Sequence, residues 1–324
     1  MQPKGKVEGP GMSTITPAET RRPMPRLVDT VPIDVAPFMN GQGLRAFLLG
    51  TSSGRVACLE RAGDGVPMLF IHANSASKEF FLRQFESALP GRRLIAVDLP
   101  GHGQSEKVCS NPADVYTFKG YAGVVKEVLD QLVEGPAMLC GWSLGGHVAM
   151  ELMALCPDRL AGVAITGAPP IELSGSGVSS GFKLSADARI LRLMGQAASF
   201  SEEEAMTFVE AGGRGDVPAE ALKHFVASAM NTDGAARSTM CAAMVDGSGG
   251  CDERALVGAS PLPLLVVCGE GDKGINNDYL RSLDYRNIHG GKPQEIAGVG
   301  HSVFLEAPEA FNQLLKEFVD SLKQ

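Results

Sequence analysis

Short apolar runs alternate with segments of helical period along most of the chain. Val66–Ile71 and Arg93–Val97 are apolar runs of strand length. Each ends in a loop dense in turn residues, His72-Ala-Asn-Ser-Ala-Ser77 and Asp98-Leu-Pro-Gly-His-Gly-Gln-Ser105. Ahead of them, Arg45–Leu49 and Arg55–Glu60 read as a hairpin around Gly50–Gly54. A helix is predicted over Lys78–Leu89, and apolar positions 121, 124, 125, 128, 129 and 132 predict another over Tyr116–Val133. Ala137–Cys140 reads as a buried strand, Val148, Leu152 and Leu155 as the apolar face of a helix, and Leu160–Ile165 as a further strand. Strand alternating with helix predicts a parallel sheet, with right-handed crossovers and helices on both faces.

The rhythm then changes. From about Pro169 to Val257 no strand pattern stands out, and helices are predicted at Ala186–Ala197, Glu202–Ala211, Pro218–Met230 and Ala235–Val245. Loops such as Gly212-Gly-Arg-Gly215 and Gly247-Ser-Gly-Gly250 separate them. The expected organisation is a helical cap over 169–257, inserted into an α/β core formed by 43–168 and 258–324. Met194, Met206, Met230, Met240 and Met244 recur through the cap. Methionines so placed either pack its interior or give an apolar ligand an adaptable lining. The sheet resumes at Leu262–Cys268 and closes with Gln294–Ile296. A final helix over Glu309–Lys323 has apolar positions 311, 314, 315, 318, 319 and 322.

Composition narrows the class. With 44% hydrophobic and 20% charged residues, the chain reads as an ordinary soluble globular protein. A formal charge of −8 argues against nucleic-acid partners and gives no hint of an anionic membrane surface. No run approaches the length of a membrane span. The 7 cysteines are scattered, without a Cys-x-x-Cys pair, which suits a reducing compartment and a cytoplasmic location. Cys140 and Cys268 fall in apolar runs and read as structural. Residues 1–42 lack periodicity and are expected to form a disordered extension, with Met12 as an alternative start. Arg21-Arg22 invites an export reading, but Pro23-Met-Pro25 follows where an apolar stretch would be needed.

Candidate chemistry centres on Gly141-Trp-Ser-Leu-Gly145, between a predicted buried strand and a predicted helix. A serine on such a turn is held clear of the sheet, and the helix N-terminus sets free N–H groups beside it. The same Gly-x-Ser-x-Gly spacing occurs around Ser52 and Ser179. The first reads as a turn between strands and the second as a Gly/Ser-rich loop, so context selects Ser143. A serine nucleophile needs a base, and the base needs an orienting acid. Asp272 and His301 follow predicted strand ends in the order serine, acid, histidine. Glu270 is the competing acid, closer to its strand end. The oxyanion is expected to meet the N–H groups of Leu144 and Asn74. Ala73 and Trp142 flank these positions as candidate substrate contacts. His147, one helical turn after Ser143, reads as a packing or pocket-rim residue and is the third candidate substrate contact. His72 and His102 read as structural, His224 as part of the cap and His289 as a turn residue. None groups with carboxylates in a metal-ligand pattern, so neither metal nor cofactor is expected.

These residues resemble the α/β-hydrolase superfamily over roughly 43–322, which implies the α/β-hydrolase fold: a mostly parallel central sheet flanked by helices, with an inserted cap. A serine at the elbow sets the chain apart from the superfamily's dehalogenases and epoxide hydrolases, which use aspartate. More closely, the chain resembles the AidH-type N-acyl-homoserine lactone lactonases. The resemblance is carried by His72-Ala-Asn-Ser-Ala-Ser77, Asp98-Leu-Pro-Gly-His-Gly103, Gly141-Trp-Ser-Leu-Gly-Gly-His147 and Ile165-Thr-Gly-Ala-Pro-Pro170. Gly181-Phe-Lys, Thr232-Asp-Gly and the His301 loop extend it. It implies a metal-independent triad of Ser143, Asp272 and His301, with aspartate where the family has glutamate and Ala73 where it has glycine. The implied substrate is a small lactone or ester. A general carboxylesterase and a non-catalytic receptor remain as alternatives, and the sequence is silent on oligomeric state.

Overall fold

A computed structural model describes residues 43–322, apart from 109, 174, 184–187, 212–216 and 218. The expected N-terminal extension, Met12, the arginine pair, the 212–215 loop, and the outermost residues of three predicted helices (Ala186, Pro218 and Lys323) lie outside the described residues.

Eight strands form one sheet: β1 (Leu44–Thr51), β2 (Gly54–Arg61), β3 (Asp64–Ile71), β4 (Arg92–Val97), β5 (Ala137–Trp142), β6 (Leu160–Thr166), β7 (Leu264–Gly269) and β8 (Gln294–Ile296). Their order is β1-β2-β4-β3-β5-β6-β7-β8. The hairpin β1–β2 and the pair β2–β4 are antiparallel. From β4 onward every neighbour is parallel. Every parallel connection needs a crossover, and helices supply it. Among them are α1 (Leu82–Ser87), α2 (Pro112–Val115), α3 (Phe118–Leu132) and α4 (Leu144–Leu155).

Period-2 alternation splits the strands between two cores. Leu69 and Ile71 of β3, Leu139 of β5 and Val266 of β7 face a core shared with Tyr121, Val125 and Leu129 of α3 and Val148 and Leu152 of α4. Met68 and Phe70, Met138 and Cys140, and Leu265 and Val267 face the other core, with Phe81 and Phe85. There they meet α13 (Pro308–Ser321), which buries Phe311, Leu315 and Phe318. Each of those three side chains contributes about 2–3 kcal/mol by leaving water.

Between β6 and β7 the named elements are all helical: α5 (Gly175–Gly181), α6 (Ala188–Met194), α7 (Glu202–Ala211), α8 (Ala219–Asn231), α9 (Gly234–Asp246) and α10 (Glu253–Ala259). Two of these differ from expectation. The Gly/Ser-rich stretch around Ser179 is helical, with Ser179 and Ser180 hydroxyls donating to the Ser176 carbonyl. The short α10 starts at an Asp252 cap that accepts from Ala255 N–H. The helix predicted over Lys78–Leu89 begins as a 3-10 turn, Lys78–Phe81, before α1. Two short helices close the list, α11 (Asn277–Ser282) and α12 (Val303–Glu306). No described helix is long and apolar enough to cross a membrane.

The helical segment is tied to the loops at the strand ends. Asp233 N–H donates to Gly101 O (2.8 Å) and its carboxylate accepts from the Tyr116 hydroxyl (2.9 Å). Asn231 Nδ2 donates to Gly103 O (2.7 Å), and Lys183 N–H to Gly274 O (2.8 Å).

Candidate active site

All six residues of β5 are buried, and the chain turns at Ser143 into α4 with φ 53° and ψ −117°. A non-glycine residue in that region costs about 1–3 kcal/mol, so its surroundings must hold it there. They do so by close approach. A Cβ on Gly141 would lie 2.2 Å from Gly145 O, and one on Gly145 would lie 2.0 Å from Ile71 O. The first turn of α4 therefore rests directly on the end of β3. Ser143 N–H donates to Thr166 O (2.8 Å). Ser52 lies in the β1–β2 turn, its hydroxyl bonded to Glu127.

The His301 ring lies over the next residue of that same strand end. Gly167, at φ 61°, would set a Cβ 2.7 Å from His301 Cε1. Ser143 and His301 thus contact consecutive residues, 166 and 167. Trp142 Nε1 donates to His301 O (3.0 Å) and fixes the loop that carries the imidazole. His301 Nδ1 lies 2.7 Å from Asp272 Oδ2, so the carboxylate orients the ring through that nitrogen. Asp272 is buried, and its Oδ1 accepts from Gly274 N–H (2.8 Å) and Ile275 N–H (3.1 Å). Burial alone would raise its carboxyl, but His301 and these hydrogen bonds hold it below the usual aspartate range. Glu270, by contrast, is exposed and accepts from Gly298 N–H (3.2 Å).

Ser143, His301, Ala73, Asn74, Trp142, Leu144 and His147 all line one cavity of about 160 Å³. Asp272 sits behind His301, outside the wall. The rest of the wall is mostly apolar, with Phe118, Phe182, Phe208 and Phe225 among its sides and Ser75 and Ser302 as further polar residues. Met194, Met240 and Met244 also reach it, whereas Met230 is exposed on the outside of α8.

Leu144 opens α4, so its N–H has no intrahelical acceptor. Asn74 Nδ2 is buried and finds no partner among the described residues. The loop that carries Asn74 is held from below. His72 Nε2 accepts from Leu99 N–H (2.9 Å), and burial pushes this imidazole down to about 4. The Lys78 ammonium is fully buried and donates to Asp98 Oδ2 and Glu79 Oε1, both at 2.7 Å. Burial would lower it, yet the two carboxylates push it up to about 12.

Two residues stand out that sequence reasoning did not single out. Lys78 reads on paper as an ordinary exposed helix-start lysine. Glu253, fully buried, brings both carboxylate oxygens within 2.9 Å of His147 Nδ1. Asp252-Glu253 signals only a helix start, and nothing local says that the second carboxylate points inward. Among the described residues no three His, Cys, Asp or Glu side chains gather as a metal site would need.

The profile of the alpha/beta hydrolase family matches residues 68–314. A structure of the N-acyl homoserine lactonase AidH with N-butanoyl homoserine superimposes with a TM-score of 0.78. It is 34% identical to this chain, over 86% of this chain and 98% of that one. Est816, described as an N-acyl homoserine lactone degrading enzyme, is 25% identical, with a TM-score of 0.64 over 84% of this chain and 99% of its own. The AB hydrolase superfamily protein YisY of Bacillus subtilis is 26% identical over 272 residues, covering 81% of this chain and 95% of its own. The chain belongs to the α/β-hydrolase family and is a carboxylic-ester hydrolase.

Proposed function

We propose that the chain is a serine hydrolase that opens the lactone ring of N-acyl-homoserine lactones, a quorum-quenching activity, with Ser143, His301 and Asp272 as its triad. The observation that carries the reading is the 2.7 Å contact of His301 Nδ1 with the buried Asp272, on the wall of a cavity that also exposes Ser143. In this reading His301 Nε2 takes the Ser143 proton as Oγ bonds to the lactone carbonyl carbon. Leu144 N–H and Asn74 hold the oxyanion, and we assign the buried Asn74 Nδ2 a share beside the backbone donor. The ring C–O bond then breaks, and the alkoxide leaves with the proton from His301. Water, deprotonated by the same imidazole, releases the acyl chain as N-acyl-homoserine. Asp272 keeps Nδ1 protonated and stabilises the imidazolium. No step calls on a metal or other cofactor.

Helices α5–α10 act as a cap that roofs the cavity and selects the acyl chain. A volume of about 160 Å³ compares with the apolar cavities that hold benzene, which favours short chains. AidH and Est816 support the lactone over a plain ester by what they act on. The test is kcat/KM for N-hexanoyl-homoserine lactone against p-nitrophenyl hexanoate. A preference for the lactone supports the reading. Brisk ester hydrolysis without ring opening replaces it with a general carboxylesterase, and tight binding of either without turnover replaces it with a receptor.

A further inference from the structure

We infer that His147, held by Glu253, is a second polar anchor of the cavity and binds an amide, or a similar hydrogen-bonding group, a few bonds from the carbonyl that Ser143 attacks. The inference rests on the proposed acyl-lactone reading and deepens it by naming which substrate group is recognised and by what.

His147 is 3% exposed, and it lines the cavity. Phe118 stacks on its ring at 4.6 Å with an interplanar angle of 3°, and Phe182 packs 5.8 Å away. Nδ1 is taken by Glu253, whose carboxylate also accepts from Ile171 N–H (3.1 Å). Nε2 has no hydrogen-bond partner among the described residues, yet it is absent from the sealed-off polar atoms. Its open edge is therefore on the cavity wall. A ring clamped by an aromatic face and a buried carboxylate is fixed in orientation. That is how the Asp272–His301 pair is built on the same cavity. Packing alone does not require it: a phenylalanine would stack on Phe118 without burying a carboxylate.

Position limits what the free nitrogen can meet. Ser143 caps α4 and His147 is the fourth residue of that helix, about one turn along the axis. A group bonded next to the scissile carbonyl can reach both. An amide offers an N–H and a C=O, so it pairs with Nε2 whether that nitrogen accepts or donates. An alkyl chain offers nothing.

The test compares two esters that share a leaving group and chain length, p-nitrophenyl N-butanoylglycinate and p-nitrophenyl heptanoate. The readout is the ratio of their kcat/KM values, corrected for spontaneous hydrolysis. The wild type is expected to favour the amide ester by about tenfold, the worth of one well-placed hydrogen bond. His147→Phe is expected to abolish the preference, chiefly through KM of the amide ester. In the double variant H147F/E253Q, glutamine keeps an acceptor for Ile171 and leaves no charge stranded, which guards against misfolding of the single variant. A wild type without preference, or variants that slow both esters in parallel, would overturn the inference. Ring opening of the lactone is scored separately. If the wild type fails there but the ester ratio behaves as expected, the lactone reading falls and the anchor stands.

Discussion

At the scale of single residues, the chemistry turns on the geometry around one imidazole. Asp272→Asn would keep the side chain's size but let His301 adopt the wrong tautomer, and kcat is expected to fall by about 10⁴. Circular dichroism of the variant should stay native, and a loss below tenfold would remove Asp272 from its role. Asn74→Ala deletes a buried donor that has no other partner among the described residues. It is expected to lower kcat by about 10² with little change in KM. Unchanged kcat would leave the backbone N–H as the sole donor of that loop. Ser143, Asp272 and His301 were legible as candidates from their order along the chain and from the strand ends ahead of them. The preference for Asp272 over Glu270 rests on Glu270 lying closer to its strand end; what the sequence does not carry is the inward carboxylate geometry, 2.7 Å from His301 Nδ1. His147–Glu253 is less legible still, since the partners lie 106 residues apart and meet only in the folded chain.

At the scale of elements, strong periodicity was readable and weak periodicity was not. The apolar positions of α3 and α13 outlined both helices to within two residues of the observed ends among the described residues. In α5, glycine and serine hide a helix that contacts α9 and α11 stabilise. The hairpin β1–β2 and the parallel strands followed from short apolar runs bounded by turn residues. Two devices hold the strand ends where the site forms. Gly145→Ala would force α4 off β3 and is expected to cost about 3 kcal/mol of unfolding free energy. A shift in the urea midpoint at unchanged slope would report it. Lys78→Met leaves Asp98 buried without its cation and is expected to cost about 4 kcal/mol. A variant as stable as wild type would mean that the ion cluster does not anchor the loop.

For the whole molecule, two histidines locked neutral in the interior set the response to acid. Burial pushes His72 down to about 4 and His102 down to about 3, whereas an unfolded chain protonates both near 6.5. Between those values the unfolded state binds more protons, so stability is present above pH 6.5 and lost as pH falls towards 4. The slope is about 1.4 kcal/mol per pH unit for each group. Glu253, whose carboxyl burial raises, opposes this in part. Asp272, depressed below the usual range, adds its own loss only at lower pH. The melting temperature is expected to fall steadily from pH 7 to 4.5, and a flat profile would contradict the neutral assignment. The central claim is that this fold, with Ser143 at its elbow, opens an acyl-lactone. Its most direct test is mass spectrometry of N-hexanoyl-homoserine lactone incubated with wild type and with Ser143→Ala, after subtraction of spontaneous hydrolysis. The account predicts a gain of one water in the wild type and background opening in the variant; equal ring opening in both, or none above background in either, would contradict it.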